Sequence, residues 1–366
     1  MTFDVWAPLV LPLLLLPLLA LPVVRTLPDR LHPRLACWLL TGTAVGLAGA
    51  GTGALALLAV AALLRLPFVA ALGHLDLPVA AHLSPGAVVP AGTVAGVLLL
   101  LAGWRAARAL HRHLRVHSEA RRLIDRHRAE SPARGDAHGT NADAIHTGAI
   151  HTDGVNTDNG DLVVLPDPAP DAYAIPGGPL PRDRGRGRVV VTAGMLAALS
   201  APERAVLLAH ERAHLSCRHH RFLLLAELSV ALHPLLSPLR EGVAYSVERW
   251  ADETAAASVA DRRLVARAIG RAALAARAGA GQDRSSRLAG VALGVAAGPV
   301  PRRVAALLGR EPELSPARTR RGSALTAALL VGILALSLGT TLDAAKDLHH
   351  QVEAAQQNAT PGEAHG

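Results

Sequence analysis

The chain has 366 residues, of which 51% are hydrophobic and only 2% aromatic. Its formal charge of +8 is carried almost entirely by arginine, because Lys346 is the only lysine. Aromatic residues are not interleaved with the basic runs, and this argues against a nucleic-acid partner. Cys37 and Cys217 are the only cysteines, which excludes a disulfide framework and a Cys-type zinc site. We therefore expect helices that pack through small residues, in lipid or in a bundle.

Four apolar runs are long enough to cross a bilayer. They cover residues 5–24, 36–64, 87–104 and 323–342. The first run lacks a basic segment before it and follows Asp4, so we do not expect a cleaved signal peptide. The alternative, that some runs are buried helices of a soluble protein, is disfavoured by the number and length of the runs.

Arginine alternates between the segments that separate these runs. The 25–35 loop holds three arginines and the 65–86 loop holds one, the segment 105–321 is dense in arginine, and the tail 343–366 has none. Because basic residues stay on the cytoplasmic side, we expect a multi-pass protein of the cell membrane with its N-terminus outside. Residues 105–322 would then be cytoplasmic and 343–366 an extracellular tail.

The cytoplasmic segment divides by composition into three parts. Residues 105–130 are predicted to form a basic helix next to anionic headgroups, and 131–160 a polar, Gly-rich disordered insert. Residues 161–322 are predicted to form a separate folded domain. They begin with three short strands, each a β-branched run bounded by Gly, Pro or Asp. The strands lie within 161–167, 171–178 and 187–194.

A capped helix is predicted to begin at Ser200. Ser200 is a suitable N-cap, Pro202 falls in the first turn, and Glu203 lies three residues after the cap, as in a capping box. The apolar positions that follow recur at helical spacing. His210 and His214 therefore lie one turn apart on the same face of this helix.

The sequence "HERAH" at 210–214 predicts a zinc site. His210 and His214 can direct their imidazoles at one ion, and Glu211 can reach a water molecule at the ion without binding the ion itself. Glu211 is then the predicted general base. With 18 histidines in the chain, such a motif can also arise by accident. The apolar helix around it favours a functional site, because unpaired buried charge is costly.

A catalytic zinc needs a third protein ligand. Glu248 and Asp252 lie at i and i+4 on a second predicted helix, so Glu248 is the candidate ligand and Asp252 a candidate to orient a ligand histidine. The alternative is a solvent-facing acidic helix. The apolar segment 222–236 is short for a membrane span, and we expect it to turn back at His233-Pro234 so that both helices share one side of the membrane.

The chain resembles a known family along 160–260. The order "AYAIPGG", "VVVTAGMLAALSAPERAVLLAHERAHL", "HPLL" and then E-x-x-x-D is similar to the membrane-embedded gluzincin peptidases of the BlaR/MecR type, with the HtpX and CAAX-prenyl-protease family a related second. This resemblance implies zinc at His210, His214 and Glu248, with Glu211 as base. It also implies that the substrate pairs as an added strand with Ala172, Tyr173, Ala174 and Ile175.

Two features depart from the sensor-type members of that family. Those members carry an extracellular penicillin-binding domain after the last span, where this chain has 24 residues, and the 131–160 insert is unusual. β-Lactam sensing is therefore not expected. Tyr245, one turn before Glu248, is a candidate to stabilise the oxyanion, with His219, His220, His233 and Arg249 as rivals. The alternative for His219 and His220 is a basic helix end.

The fold class expected from the sequence is a mostly α membrane protein. It has four transmembrane helices and a cytoplasmic α+β zincin-like metallopeptidase domain with a small β-sheet. The expected function is a membrane-bound zinc endopeptidase that cuts a cytoplasmic or membrane-proximal protein, such as a repressor. The alternatives are a quality-control protease of membrane proteins and a non-catalytic receptor with a structural metal site. The expected partners are a protein substrate and the lipid bilayer, with Zn²⁺ as cofactor.

Overall fold

The structure is a computed structural model that describes part of the chain. It covers residues 27–64, 85–130, 161–177, 187–280, 293–294 and 300–309, with scattered helical positions between 328 and 353. The predicted span at 5–24 and the predicted insert at 131–160 lie outside the described residues. Most of the predicted span at 323–342 and of the tail at 343–366 also lies outside them. The described part is mostly helical with one small sheet.

The chain divides into two compact units. The first comprises residues 1–110, 225–243 and 314–366, and the second comprises 111–224 and 244–313.

Two long helices contribute to the first unit. Helix α1 spans Pro33–Leu63 and helix α2 spans Pro85–Glu130. Both contain a stretch long and apolar enough to cross a membrane, over Pro33–Leu63 and Val89–Arg122. They approach closely where Gly92 meets Ala62, since a Cβ at Gly92 would lie 2.0 Å from the Ala62 Cβ.

The predicted third span and the predicted basic helix form a single helix. We expected a boundary at 104/105, but α2 continues through it for 46 residues, with Pro90 near its start. The segment 105–130 has neither proline nor glycine. Nothing in its sequence therefore interrupts the helical hydrogen bonds where the apolar residues give way to arginines.

A four-stranded sheet lies in the second unit. The strands are β1 (Leu162–Leu165), β2 (Ala172–Ile175), β3 (Arg188–Thr192) and β4 (Leu293–Gly294), in the order β1-β3-β2-β4. β1 runs parallel to β3, while β2 is antiparallel to both β3 and β4. The three predicted strands are present, and β4 was not predicted.

Alternate residues of the sheet face opposite layers, as the two-residue period of a strand requires. On one face, Val189 and Val191 pack in a buried cluster with Leu207 and Leu208. On the other face, Val190 and its neighbours on β2 pack against Ala120 of α2.

Six helices complete the described part of the domain. They are α3 (Ala193–Ala198), α4 (Ala201–Ser216), α5 (His219–Leu232), α6 (Ser237–Val259), α7 (Arg262–Ala280) and α8 (Val300–Leu308). α4 begins as predicted, because the Glu203 carboxylate accepts hydrogen bonds from the Ser200 N–H at 2.9 Å and from its hydroxyl at 2.7 Å. It ends at Ser216, and Arg218 has a positive φ of 54° that separates α4 from α5.

The apolar segment 222–236 turns back where the sequence predicted. α5 ends at Leu232, a short 3-10 helix covers Pro234–Leu236, and α6 then begins at Ser237. Pro234 cannot donate a backbone hydrogen bond, so α5 cannot continue through it. Within the first unit, the His233 ring fits against Gly51 of α1, where a Cβ would approach its Cδ2 to 3.1 Å.

Candidate metal centre

Two histidines of α4 point their rings at a common position. The Nε2 atoms of His210 and His214 lie 3.2 Å apart, and both side chains are buried. The two residues are one helical turn apart, so their imidazoles lie on the same face of α4. This face of α4 is turned away from solvent, since both histidines are buried.

The third member of the group comes from α6. Oε2 of Glu248 lies 3.7 Å from Nε2 of His210, and Oε1 of Glu248 lies 3.7 Å from Nε2 of His214. Within the described residues, His210, His214 and Glu248 are the one group whose ligand atoms all lie within 4.8 Å of one another. The turn at 233–236 thus returns the chain so that α6 places its carboxylate beside both imidazoles.

These separations fit a tetrahedral ion. Ligand atoms about 2.0–2.2 Å from a tetrahedral zinc lie roughly 3.3–3.6 Å from one another. The two Nε2 atoms are 3.2 Å apart, and a different oxygen of Glu248 lies 3.7 Å from each of them, so the three side chains are about as close as such an ion requires. Two imidazole nitrogens and one carboxylate are also the donor set of a known class of catalytic zinc site.

The charges of the cluster also favour a cation. Burial alone would disfavour charge on His210, yet Asp252 and Glu248 outweigh it and raise its pKa to about 10. Burial lowers the pKa of His214 well below its ordinary value, so this imidazole stays neutral and can offer a lone pair. The two carboxylates therefore stabilise positive charge beside the imidazoles, which a metal cation would supply.

Glu211 is fully buried beside the ligand group. Its side chain has 0% exposure, and neither carboxylate oxygen has a hydrogen-bond partner among the described residues. Burial raises its pKa to about 8, and the charges of Glu248 and Asp171 add to the effect. A carboxylate whose pKa is raised toward neutrality is suited to accept and return a proton.

Asp252 and Arg303 contact the candidate ligands: Asp252 lies beside His210, and Arg303 lies beside both Asp252 and Glu248. Oδ1 of Asp252 lies 3.1 Å from Nδ1 of His210, the ring nitrogen opposite the one that faces the ligand group. Arg303 donates two hydrogen bonds to Asp252, at 2.8 and 2.6 Å, and its Nη1 lies 2.8 Å from Oε2 of Glu248. Burial opposes charge on Asp252, but Arg303 and His210 outweigh it and lower its pKa to about 2. Asp252 therefore stays an anion that can hold the His210 ring.

One comparison with known families bears on the class of this domain. Residues 144–311 match the sequence model of peptidase family M48. This match supports a metallopeptidase of the zincin type, and it includes every residue of the cluster described above. No curated protein and no solved structure matches the chain. The matched stretch begins inside the predicted insert and ends before residue 322.

Tyr245 lies one turn before Glu248 on α6. Its side chain is buried, and the guanidinium of Arg302 lies over its ring at 4.3 Å from the centroid. Its role as an oxyanion donor stays a prediction. Among the rivals, Arg249 pairs with Glu253 at 3.8 Å. His219 is buried against His214 and is the first residue of α5.

The predicted substrate strand is paired on both of its edges. All four residues of β2, Ala172–Ile175, pair with β3. On the other edge, Tyr173 and Ala174 pair with Gly294 and Leu293 of β4. An extended substrate could add to this edge of β2 only after β4 leaves it, since each backbone group of a ladder serves one neighbour. Substrate pairing at Ala172–Ile175 therefore stays a prediction with this added requirement.

The sequence did not predict the contacts of two residues near the site, Arg303 and His219. Arg303 lies about 50 residues beyond Asp252, and no local motif connects them. One signal was present: Arg303 lies on the same helical face as Val300 and Leu307, three residues before it and four after it, which indicated a partly apolar surrounding. His219 is five residues after His214, a spacing that crosses the end of α4 and gave no indication of contact.

Proposed function

We propose that this protein is a zinc endopeptidase in which His210, His214 and Glu248 hold the ion. The observation that carries the proposal is the convergence of these three ligand atoms beside the buried Glu211. A zinc ion held there would act as a Lewis acid toward water and toward a peptide carbonyl. The match to peptidase family M48 supports the same reaction class.

Glu211 serves as the general base in this proposal. Both of its oxygens are buried without hydrogen-bond partners in the described part of the chain, so each can accept a proton from the attacking water. The same carboxyl then returns the proton to the leaving amine. A receptor that kept the metal for structure alone would have no use for a buried, unpaired carboxylate, whose burial costs free energy.

Asp252 keeps the His210 ring in the required orientation. Its Oδ1 lies 3.1 Å from Nδ1 of His210 and so favours a proton on that nitrogen, which leaves the Nε2 lone pair directed at the ligand group. Arg303 neutralises the charge of Asp252 and of Glu248, so these carboxylates can stay ionised in a buried site.

A purified sample in detergent tests the enzyme proposal. We expect about one zinc per chain in the wild type and in Glu211→Gln, and cleavage of an unstructured protein only by the wild type. Glu241→Gln is the matched control, because Glu241 is an exposed glutamate on α6. Cleavage that persists in Glu211→Gln, or a wild type without zinc, would contradict the proposal.

We further propose that α1 and α2 cross the cell membrane, together with the apolar runs at 5–24 and 323–342. Large apolar side chains are exposed along α2, including Leu100 at 76% and Trp104 at 59%. Lipid contact accounts for such exposure better than water does. Trp104 and Arg108, which lies 5.4 Å from the Trp104 ring centroid, suit the boundary with the headgroups.

The proposed orientation places 105–322 in the cytoplasm and 343–366 outside. In a background without Cys37 and Cys217, single cysteines introduced as Ala137→Cys and Ala364→Cys report the two sides. A membrane-impermeant maleimide added to intact cells should label the second variant and not the first. Labelling of the first variant in intact cells would reverse the assignment.

The BlaR/MecR-type resemblance suggests a regulatory protease that cuts a cytoplasmic repressor. A quality-control protease would instead cut many membrane proteins. Profiling of new protein N-termini in cells with wild type and with Glu211→Gln separates the two. Regulation predicts very few Glu211-dependent termini, concentrated in one cytoplasmic DNA-binding protein. Many termini spread over membrane proteins would favour quality control.

A further inference from the structure

We infer that His219 positions His214 for metal binding by accepting a hydrogen bond from the His214 Nδ1–H. This inference rests on the proposed function, because it concerns the second histidine of the proposed zinc site. It assigns to His219 the part that Asp252 plays for His210, so each ligand imidazole has its own partner on the ring nitrogen that faces away from the ion.

The contact between the two rings is short and completely buried. Nδ1 of His219 lies 3.1 Å from Nδ1 of His214. The side chains of His214 and His219 are exposed by 1% and 0%, so water does not compete for this hydrogen bond. The ring centroids are 4.8 Å apart and the rings are nearly perpendicular, at 86°. The edges of the two rings therefore meet at a single pair of atoms, Nδ1 of His214 and Nδ1 of His219.

The direction of the hydrogen bond follows from what His214 must do at its other nitrogen. Nε2 of His214 faces Nε2 of His210 and the Glu248 carboxylate, so a ligand there needs its lone pair on Nε2. A neutral imidazole with a free Nε2 carries its proton on Nδ1. Nδ1 of His219 then accepts, and the proton of His219 lies on its own Nε2.

The opposite direction of this hydrogen bond would prevent His214 from binding a metal ion. If His219 donated from Nδ1, His214 would accept at Nδ1 and carry its proton on Nε2. That proton would point at the position of the ion and remove the lone pair that binds it. His219 therefore selects one tautomer of His214 before a metal arrives.

The ring of His219 is itself held by the helix that supplies Glu248. It packs against Trp250 of α6, with ring centroids 4.8 Å apart, and Phe222 of α5 contacts the same indole at 5.9 Å. Trp250 follows Glu248 by two residues. His219 also begins α5 directly after Arg218, whose positive φ makes the turn between the helices. The contact with α6 and the turn before α5 therefore both restrict the position of the His219 ring.

A role for His219 as a further ligand does not fit the structure. Its Nδ1 faces the far side of the His214 ring, and it is not in the group of ligand atoms that lie within 4.8 Å of one another in the described residues. A purely structural role, in which only the ring stack matters, is the remaining alternative. The two roles make opposite demands on the side chain, and substitution can therefore separate them.

Two variants of the full-length protein distinguish the acceptor from the stack. His219→Phe keeps a ring against Trp250 but has no acceptor, whereas His219→Asn offers an oxygen near the position of Nδ1 but no ring. Zinc affinity is measured by competition with a chelator of known affinity at fixed pH. We expect His219→Phe to bind zinc about 10–100-fold more weakly, as lost partners of ligand histidines do, and His219→Asn to stay within about 3-fold of wild type.

Circular dichroism checks that each variant is folded, and His219→Leu replaces His219→Phe if the latter fails to fold. His111→Phe, at an exposed histidine of α2, is the control and should bind zinc like the wild type. Wild-type affinity in His219→Phe overturns the inference. Equal losses in the Phe and Asn variants also overturn it, because they would point to packing alone.

The outcomes distinguish a failure of this inference from a failure of the enzyme proposal. A wild type that binds no zinc refutes the proposed function and this inference together. A wild type that binds zinc and loses cleavage in Glu211→Gln, while His219→Phe binds zinc normally, refutes only the role of His219.

Discussion

Arg303 and Asp252 form a buried, two-point ion pair that joins α8 to α6. Nε of Arg303 donates to Oδ2 of Asp252 at 2.8 Å, and a second guanidinium nitrogen donates to Oδ1 at 2.6 Å. Both side chains are 1% exposed. The same guanidinium contacts Glu248, so one arginine balances both the proposed ligand carboxylate and the carboxylate that holds His210. The planar guanidinium is suited to this because its donors lie in a fixed fork.

Removal of Arg303 should destabilise the fold. Arg303→Met leaves Asp252 and Glu248 buried without their cation, and breaking a buried pair from one side costs about 3–5 kcal/mol. Urea unfolding of the zinc-free protein measures this loss. Arg263→Met, at an exposed arginine of α7, is the control and should change stability by less than about 0.5 kcal/mol.

The double variant Arg303→Met with Asp252→Asn tests whether the pair is the cause. Neutralising Asp252 removes much of the charge that Arg303 balances. We therefore expect the double variant to lose less stability than the two single variants lose in sum. Strictly additive losses would show that the two residues act separately.

Metal removal should lower stability in a reversible manner. A chelator that strips the proposed zinc should lower the unfolding midpoint, and added Zn²⁺ should restore it. A ligand at 1,000 times its Kd stabilises the folded state by about 4 kcal/mol. Differential scanning fluorimetry with and without the chelator measures the shift. His210→Ala should show little response to either treatment, and an equal response in His210→Ala would contradict the site.

The carboxylate at the start of α4 should contribute stability only above acidic pH. Burial favours the neutral form of Glu203, but hydrogen bonds from Ser200 and the ion pair with Arg271 outweigh it and lower its pKa. A lowered pKa means that the contribution is present above the ordinary pKa of glutamate, about 4.3, and is lost as the pH falls. Glu203→Gln should cost about 1 kcal/mol at pH 7 and much less at pH 3, as measured by urea unfolding.

Ionisation of Asp171 should have the opposite effect and destabilise the folded protein. Burial raises its pKa to about 6, and the charge of Asp167 adds to this despite the hydrogen bond from the Ala172 N–H. Ionisation of Asp171 therefore costs stability as the pH rises from the ordinary value of 3.8 to about 6, and the cost persists above that. Asp171→Asn keeps the acceptor oxygen and should gain about 1 kcal/mol at pH 7.5, allowing for solvent screening.

The pH dependence of the Asp171→Asn difference is the decisive measurement. The gain over the wild type should vanish near pH 4, where both side chains are neutral in the folded protein. A gain that is the same at pH 4 and pH 7.5 would assign it to packing or to hydrogen bonding and would contradict the electrostatic explanation.

Local features were well predicted from the sequence. The Ser200–Glu203 pair marks the start of α4, and helical periodicity then places His210 and His214 on one face, because an α-helix repeats every 3.6 residues. The same spacing rule places Glu248 and Asp252 together on α6. The three β-branched runs are strands for an equally local reason, since alternate residues of a strand face opposite layers.

Other features depended on distant parts of the chain. Arg303 reaches Asp252 across 51 positions, and His219 reaches His214 only because a residue with positive φ turns the chain between α4 and α5. The second edge of β2 is occupied by Leu293 and Gly294, a two-residue strand too short to leave a pattern. Spacing rules cannot foresee such contacts, because they describe neighbours along one element.

By itself the sequence determined which side chains carry the proposed chemistry: two imidazoles and a base on one helix, and two carboxylates on another. It could do so because each set lies within one or two helical turns, where backbone geometry fixes relative position. Only the tertiary structure decided which neighbours hold those side chains, namely Arg303 for the carboxylates and His219 for the second imidazole. Their contacts depend on how separate helices pack, and packing minimises buried, unpaired charge over the whole domain rather than along the chain.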